Sequence, residues 1–379
     1  MTEVRNRAVE AAVARRLRER GGRMTFAAYM QLCLYEPGIG YYQRGETKLG
    51  KAGDFYTSAH IGNVMGGCIA SRLDAAARRT APAGERIAIV EWGGGDGRLA
   101  CAVLDELRQA FPDTYARMAF LAVEGSPHHR RLQRERLASH AERIAGVCDP
   151  GDAQVERTLR EETTLLFANE LLDAFPVHRI VRLGGEWYEI YVERDEASGA
   201  LREAVGPIED EAVAERLTSA RIEAAEGQRL EVGLAGLRWL ERLGATMRRG
   251  FALLADYGDV SAELYGPHRM AGTLLTYRGH TASDDALQRP GAQDITAHVN
   301  FEWCAEAAEA AGFADVRVVT QKQFLVDEGV LNKLQNHAGR DPFSPEARAN
   351  RAIRQLLISD GMSELFKVMT MEKTDGAPA

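Results

Sequence analysis

The stretch IAIVEWGGGDGRLA, residues 87–100, has glycine at four of the five positions 93–97, directly behind a hydrophobic run. The β-branched residues of that run predict a short buried strand, and apolar residues at helical spacing follow the glycines. Glycine permits a positive φ and lacks the Cβ that would keep a ligand away from the backbone. A strand, a glycine loop and a helix in this order predict a ligand site at the helix N-terminus.

The same alternation of strand and helix continues along the chain. MAFLAVEG (118–125) and ETTLLFANE (162–170) are predicted strands, and helical patterns lie between them. This order is typical of βαβ units and a parallel sheet. The last predicted strand, ELFKVMTM (364–371), is expected to form an antiparallel edge strand, which many such sheets carry.

Two segments interrupt the alternation. VHRIVRLGGEWYEIYVER (177–194) predicts a β-hairpin that turns at Gly184 and Gly185, and residues 208–225 predict an inserted helix. The polar, turn-rich stretch 258–297 is long enough to indicate a functional segment. The expected organisation is an N-terminal helical and loop extension (1–80) packed on one core domain (81–372), insertions at about 177–232 and 258–297, and a polar tail (373–379).

Composition excludes several classes of protein. The 379 residues are 45% hydrophobic and 27% charged, as in an ordinary globular protein, and no apolar run is long enough to span a membrane. The net charge of −8 disfavours nucleic-acid binding. Five scattered cysteines without a CxxC pair predict neither a metal site nor a disulfide framework. Acidic residues at positions 3, 10 and 19 argue against a targeting peptide, so we expect a cytoplasmic protein.

The spacing of the glycines distinguishes between cofactors. A dinucleotide loop reads GxGxxG, but Arg98 stands at its third glycine position. The spacing present is ExGxGxG, formed by Glu91, Gly93, Gly95 and Gly97, which is typical of the S-adenosylmethionine loop of Rossmann-like methyltransferases. A purely structural turn between strand and helix is the alternative.

Two acidic residues behind later strands support a nucleoside cofactor. Glu124 ends the next predicted strand, where a carboxylate can bind both ribose hydroxyls. Asp152, in the sequence PGDA, stands where this fold contacts adenine, although aspartate is also common in such a turn.

Several motifs in a fixed order resemble the MidA-like (DUF185) methyltransferase family over residues 24–372. They are MTFAAYMQLCLYEPGIGYY (24–42), GKAGDFYTSAHIG (50–62), VEWGGGDGRLA (90–100), FANELLDAFPVHR (167–179), LLADYG (253–258), GTLLTYRGH (272–280) and GAQDITAHVNFEWC (291–304). Trp92 and Arg98 depart from the family's usual glycine loop. The family includes the mitochondrial arginine methyltransferase needed to assemble respiratory complex I.

The resemblance implies an α/β fold with a Rossmann-like methyltransferase core, an N-terminal extension and inserted helical and hairpin elements. It also implies S-adenosyl-L-methionine as cofactor and an arginine side chain of a protein partner as acceptor, with a respiratory complex I subunit as one candidate. A small-molecule methyltransferase and a cofactor-binding assembly factor are the alternatives, since a fold does not fix a substrate. The oligomeric state stays open, with a dimer as one option.

An arginine acceptor would require carboxylates near the methyl group. A guanidinium stays protonated, so carboxylates that bind it bidentately would orient it and neutralise its charge. Asn169, Glu170 and Asp173 follow a predicted strand, and one turn of a predicted helix (171–175) would place both acids on one side. The alternative is a helix N-terminus that Asn169 caps.

Two further segments supply candidates. By resemblance, Gly53 and Asp54 in GKAGDFYTS border the cofactor, although Asp54 also suits an Asx turn in a loop. Asp294, Thr296 and His298 in DITAHVNF are expected to face the site, with His298 as a candidate catalytic residue. A helix cap is the alternative for this second segment.

Overall fold

A computed structural model describes residues 2–45, 63–278, 281–335, 341, 344–358 and 362–376. Gly53 and Asp54 lie outside the described residues. The helices are α1 (Thr2–Glu19), α2 (Phe26–Tyr35), α3 (Val64–Thr80), α4 (Arg98–Ala110), α5 (Pro112–Arg117), α6 (Pro127–Arg136), α7 (Ala153–Glu161), α8 (Glu211–Ala220), α9 (Leu234–Thr246), α10 (Ser261–Leu264), α11 (Phe301–Ala310), α12 (Gln321–Asp327), α13 (Pro345–Ile358) and α14 (Met362–Leu365).

Within the residues described, the strands form a large central sheet and two smaller sheets. They are β1 (Arg23–Thr25), β2 (Ile87–Trp92), β3 (Met118–Val123), β4 (Ile144–Cys148), β5 (Thr163–Asn169), β6 (His178–Leu183), β7 (Glu186–Arg194), β8 (Leu201–Gly206), β9 (Arg229–Val232), β10 (Arg249–Asp259), β11 (Leu275–Arg278), β12 (Thr281–Ser283), β13 (Asp294–Thr296), β14 (Val299–Asn300), β15 (Ala314–Thr320) and β16 (Phe366–Lys373).

The central sheet has the order β15-β16-β10-β5-β2-β3-β4, and the pairs among β2, β3, β4, β5 and β10 are parallel. The predicted mostly parallel sheet is therefore confirmed. The predicted edge position of the antiparallel strand is wrong. β16 lies between β10 and β15, and β15 forms the edge. Val368 and Met369, on opposite faces of β16, are fully buried, as is usual for an interior strand that is covered on both sides.

Helices cover both faces of this sheet. Along β2, Ile87 and Ile89 face the apolar cluster that contains α3 and α4, whereas Ala88 and Val90 face the cluster that contains α9 and α11. This alternation follows from the period-two geometry of a strand. Because β2, β3, β4, β5 and β10 are parallel, their carboxyl ends lie at one edge of the sheet, between apolar clusters on its two faces.

The predicted hairpin is present. β6 and β7 pair antiparallel, and Gly184 and Gly185 turn between them with φ of +57° and +81°, the backbone that a tight hairpin turn requires. They belong to a second sheet with the order β1-β7-β6-β9, in which β8 also pairs with β7.

A third apolar cluster joins the N-terminal helices to the late insertion. Val9 and Val13 of α1 and Phe26 of α2 share it with Ile295, and all four side chains are fully buried. The hydroxyl of Tyr29 adds a buried hydrogen bond of 2.8 Å to the carbonyl of Ala286. Among the helices described, none is long and apolar enough to cross a bilayer.

Candidate active site

A cavity of about 650 Å³ opens at the carboxyl ends of the parallel strands. The glycine loop, the segments after β3 and β4 and the turn after β5 line it, together with side chains of α2, α9 and β13. It brings together most of the sequence-predicted residues: Glu91, Gly93, Gly95, Glu124, Asp152, Asn169, Glu170 and Asp173. Gly97 and His298 do not line it.

The glycine loop has a backbone that other residues adopt poorly. Gly93 and Gly95 have φ of +75° and +53°, and Gly97, at +80°, begins α4. A Cβ on Gly93 would lie 2.9 Å from Cδ1 of Leu171, and one on Gly94 would overlap the carboxyl group of Glu91. The loop is thus a cradle that any side chain at these positions would fill.

Glu124 is held in one orientation at the end of β3. Its Oε2 accepts the N–H of Gly95 at 2.9 Å, and its Oε1 accepts the N–H of Ser126 at 2.7 Å. Each carboxylate oxygen has a second lone pair, so the group can still accept two ribose hydroxyls. Burial raises the pKa of Glu124 to about 7.

Glu91 lies beneath the glycine loop with 1% of its surface exposed. Neither carboxyl oxygen has a hydrogen-bond partner in the described part of the chain. Burial, with the nearby carboxylates of Glu124 and Asp96, raises its pKa to about 8. A cationic group placed here would favour the ionised form.

Asp152 has the structural role that was its alternative interpretation. Its Oδ1 accepts the N–H of Gln154 at 2.8 Å and caps α7. The residue also lines the cavity, and a contact with adenine stays a prediction.

The helix predicted over 171–175 is wrong. Residues 170–175 form a non-helical turn, and Glu170 has a φ of +52°. Asn169 therefore caps no helix; it ends β5, and its side-chain amide donates to Glu170 at 3.2 Å. The turn nevertheless puts Glu170 and Asp173 on the same cavity.

Asp256 of β10 explains this turn, and sequence reasoning missed it. Its Oδ2 accepts the N–H groups of Leu171, Leu172 and Asp173 at 3.0, 2.8 and 3.3 Å. Burial and the carboxylates of Asp173 and Glu170 raise the pKa of Asp256, while the bound N–H groups lower it. The available signal was its place in the LLADYG motif.

Asp173 combines burial with an unsatisfied oxygen. The hydroxyl of Tyr257 donates to Oδ2, whereas Oδ1 has no hydrogen-bond partner among the residues described. The side chain is 4% exposed, and burial raises its pKa to about 6.

Tyrosines surround these acids, and they too were missed. Tyr42 donates to both carboxylate oxygens of Asp294, at 2.8 and 2.9 Å, and Tyr35 donates to the carbonyl of Ala174 at 2.8 Å. Tyr35, Tyr42 and Asp294 all line the cavity. Their signal was the tyrosine-rich motif 24–42, because a buried tyrosine needs a partner for its hydroxyl.

The chain matches a family model that describes S-adenosyl-L-methionine-dependent methyltransferases over residues 68–320. It belongs to this family. The MidA-like resemblance, the methyltransferase activity and S-adenosyl-L-methionine as cofactor are thereby confirmed. The cavity fits this cofactor, because it has a glycine cradle without Cβ atoms and a buried Glu91 without a partner.

Relatives of this methyltransferase are similar over most of their length. The mitochondrial protein arginine methyltransferase NDUFAF7 of Danio rerio is 26% identical, and the match covers 93% of this chain and 84% of the relative. The Mus musculus protein of the same name is 30% identical, and the match covers 83% of this chain and 72% of the relative. A solved structure from Burkholderia thailandensis, bound to S-adenosyl-homocysteine, is 31% identical with a TM-score of 0.85 over 99% of this chain and 95% of its own.

The names of the curated relatives contradict the expected cytoplasmic location. That expectation is wrong. It rested on acidic residues at three positions of the N-terminal helix, and the charge pattern of one helix does not determine a compartment.

His298 does not have the position expected of a catalytic residue in this methyltransferase. Its ring packs edge-to-face on Tyr257 at 5.6 Å, and its backbone N–H donates to Thr273 at 3.1 Å. Burial, with the nearby charge of Arg269, lowers its pKa to about 4, so it is neutral at pH 7. The cap predicted for this segment is formed instead by Asn300, which begins α11.

One group of residues with metal-ligand chemistry lies away from the cavity. Ligand atoms of Cys101, Asp105 and His140 lie within 4.8 Å of one another. Arg108 already binds Asp105 at 2.6 Å, and a cation beside this guanidinium would be repelled. The absence of a metal stays a prediction.

Proposed function

We propose that this methyltransferase methylates an arginine guanidinium of a protein substrate. The supporting observation is the turn after β5, which presents Glu170 and Asp173 to the cavity, with one oxygen of Asp173 buried and unpaired. The names of the curated relatives, protein arginine methyltransferases, support the same acceptor. A respiratory complex I subunit is the protein substrate that the family resemblance favours.

The cofactor residues follow from their positions. The glycine loop and Glu91 would hold the amino-acid end, Glu124 the ribose and Asp152 the adenine. When bound, S-adenosyl-L-methionine supplies a methyl group on a positively charged sulfur. Glu91 and Glu124 then compensate positive charge inside a buried cavity, where an unpaired charge would be costly.

The acceptor residues would act by orientation and charge. A carboxylate pair binds a guanidinium through parallel hydrogen bonds, which fixes one nitrogen in line with the methyl group. Transfer forms a C–N bond, breaks the C–S bond and releases one proton from nitrogen. Asp173, with a pKa of about 6, is placed to accept that proton and pass it to solvent.

The test removes the charge and keeps the shape. Glu170→Gln and Asp173→Asn should each lower turnover of an arginine-containing substrate by about 100-fold, because the amide loses the charge that pairs with the guanidinium. Cofactor affinity should stay within about threefold, since the loop and Glu124 are unchanged. Turnover is measured with labelled cofactor, and the methylated residue is identified by mass spectrometry.

Glu156→Gln is the matched control, because Glu156 lines the same cavity but pairs with Arg160 on α7. Its turnover should be unchanged. Full activity of Glu170→Gln and Asp173→Asn would refute the carboxylate pair. Label that appears on a small molecule instead of protein arginine would refute the acceptor.

A further inference from the structure

Asp256 does not line the cavity, yet it is hydrogen-bonded to the turn that carries both candidate acceptor residues. It is 1% exposed and follows Ala255, which is paired with Asn169 where the β10–β5 ladder ends. The N–H of Glu170 still donates to the carbonyl of Ala255 at 2.8 Å. Beyond this point the turn has no strand partner, and its next three N–H groups all point to one oxygen of Asp256.

These hydrogen bonds hold the turn in a backbone conformation that is otherwise unfavourable. A left-handed backbone at a non-glycine residue such as Glu170 is sparsely populated and persists only where surrounding contacts fix it. Three hydrogen bonds from consecutive N–H groups to one buried carboxyl oxygen provide such contacts, because a buried N–H group is costly to leave unpaired. The other oxygen of Asp256 accepts the N–H of Tyr257 at 2.9 Å, which fixes the carboxylate itself.

The neighbouring residue holds the side chain of the same turn. The hydroxyl of Tyr257 donates to Asp173, so adjacent residues of β10 fix the backbone and one carboxylate of the turn. β10 is an interior strand of the central sheet, paired on both sides. The turn is therefore attached to a strand that is hydrogen-bonded to a neighbour on each side.

We propose that Asp256 is a positioning residue for methyl transfer. It holds residues 171–173 so that the carboxylates of Glu170 and Asp173 keep fixed places on the cavity wall. The proposal rests on the proposed function in that those carboxylates bind the acceptor. Asp256 itself touches neither the cofactor nor the acceptor.

The variant Asp256→Asn tests this role with two independent measurements. An amide keeps one acceptor oxygen, so the fold should survive, but its NH2 group replaces the second oxygen and brings two donors towards N–H groups that need an acceptor. Hydrogen exchange at residues 171–173 should accelerate at least about tenfold, because their hydrogen bonds weaken. With an arginine substrate, kcat should fall about 100-fold while the cofactor Kd stays within about threefold.

Asp259→Asn is the matched control on the same strand, because Asp259 pairs with Lys367 at 2.8 Å and makes none of these contacts. A melting temperature is recorded for each variant. Should Asp256→Asn not fold, Asp256→Ser, which also retains an acceptor oxygen, takes its place in both measurements.

Exchange at 171–173 that equals wild type would overturn the proposal. So would an unchanged kcat despite faster exchange, or a parallel loss of cofactor affinity and stability, which marks a purely structural role. The exchange measurement needs no acceptor. If wild-type enzyme fails to methylate arginine, the proposed function fails, and the exchange result still decides whether Asp256 holds the turn.

Discussion

Individual carboxyl groups give this cavity its chemistry. Burial raises the pKa of Glu91 to about 8, of Glu124 to about 7 and of Asp173 to about 6. A group whose pKa lies above the working pH, such as Glu91 at pH 7, keeps its proton until a positive charge arrives beside it. Cationic ligands and proton release are therefore coupled at this site.

The pH dependence of turnover should report Asp173. The proposed acceptor contact needs the ionised carboxylate, so kcat/KM should fall as pH decreases through about 6, where Asp173 takes up its proton. The sign follows from a pKa raised above the ordinary value of an aspartate: activity is present above it and lost below it. A pH profile from 5 to 9 measures this limb. A profile flat down to pH 5 would contradict the assignment. Tyr257→Phe removes a hydrogen bond that lowers the pKa of Asp173, so in this variant the acidic limb should move to higher pH.

Cofactor binding should release protons. Glu91 is mostly protonated at pH 7 in the free enzyme, and a cation near its unpaired oxygens would favour ionisation. Calorimetric binding enthalpies at pH 7 should consequently differ between buffers of different ionisation enthalpy. In Glu91→Gln that difference should shrink, because glutamine carries no proton to release. Equal enthalpies in every buffer for the wild type would rule out this coupling.

At the scale of elements, the local sequence pattern predicted the structure wherever residue type and periodicity determine the backbone conformation. The strand, glycine loop and helix of 87–110 follow from residue type, since a positive φ requires glycine and the flanking runs have clear periods. The structure of the turn 170–175 does not follow from its local helical pattern, because its N–H groups donate instead to Asp256, which lies 83 to 85 residues away. The order of β15 and β16 likewise depends on strand pairing, since β16 pairs with β10, which precedes it by more than a hundred residues.

The glycine loop permits a sharp comparison of two substitutions. Gly93 and Gly84 have φ of +75° and +81°, so alanine at either position carries the same left-handed strain, about 1–2 kcal/mol. Only at Gly93 would the new Cβ also press on Leu171, at 2.9 Å, and fill the cradle. Gly93→Ala should weaken cofactor binding at least about tenfold, whereas Gly84→Ala should lower stability alone.

Calorimetric titration and a melting curve on both variants separate these effects. Unchanged affinity in a folded Gly93→Ala variant would show that the loop does not approach the cofactor closely. Reduced affinity in Gly84→Ala would show that backbone strain, and not the cradle, controls binding.

At the scale of the whole molecule, the candidate acceptor wall is assembled from distant parts of the chain. Tyr42 comes from the N-terminal segment, Asp294 from the late insertion and Asp173 from the turn after β5. The apolar cluster of α1, α2 and β13 holds the first two together. The predicted division into an extension (1–80) and a core (81–372) therefore raises the question of whether the two unfold together.

Val9→Asp tests whether the extension and the core are one cooperative unit. Val9 is fully buried, and a Cβ on Gly291 would lie 2.7 Å from its Cγ2, so an introduced carboxylate would enter a tightly packed apolar site. The unpaired charge should cost about 3–5 kcal/mol.

The four tryptophans, Trp92, Trp187, Trp239 and Trp303, all lie beyond residue 80, so their fluorescence reports on the core. If the extension packs on the core as one unit, the tryptophan-detected urea midpoint should fall with an unchanged m-value. Glu10→Ala, at the exposed neighbouring position, should leave the midpoint in place. A normal tryptophan transition in Val9→Asp, preceded by a separate loss of helix signal at low urea, would show instead that the extension folds as an independent domain.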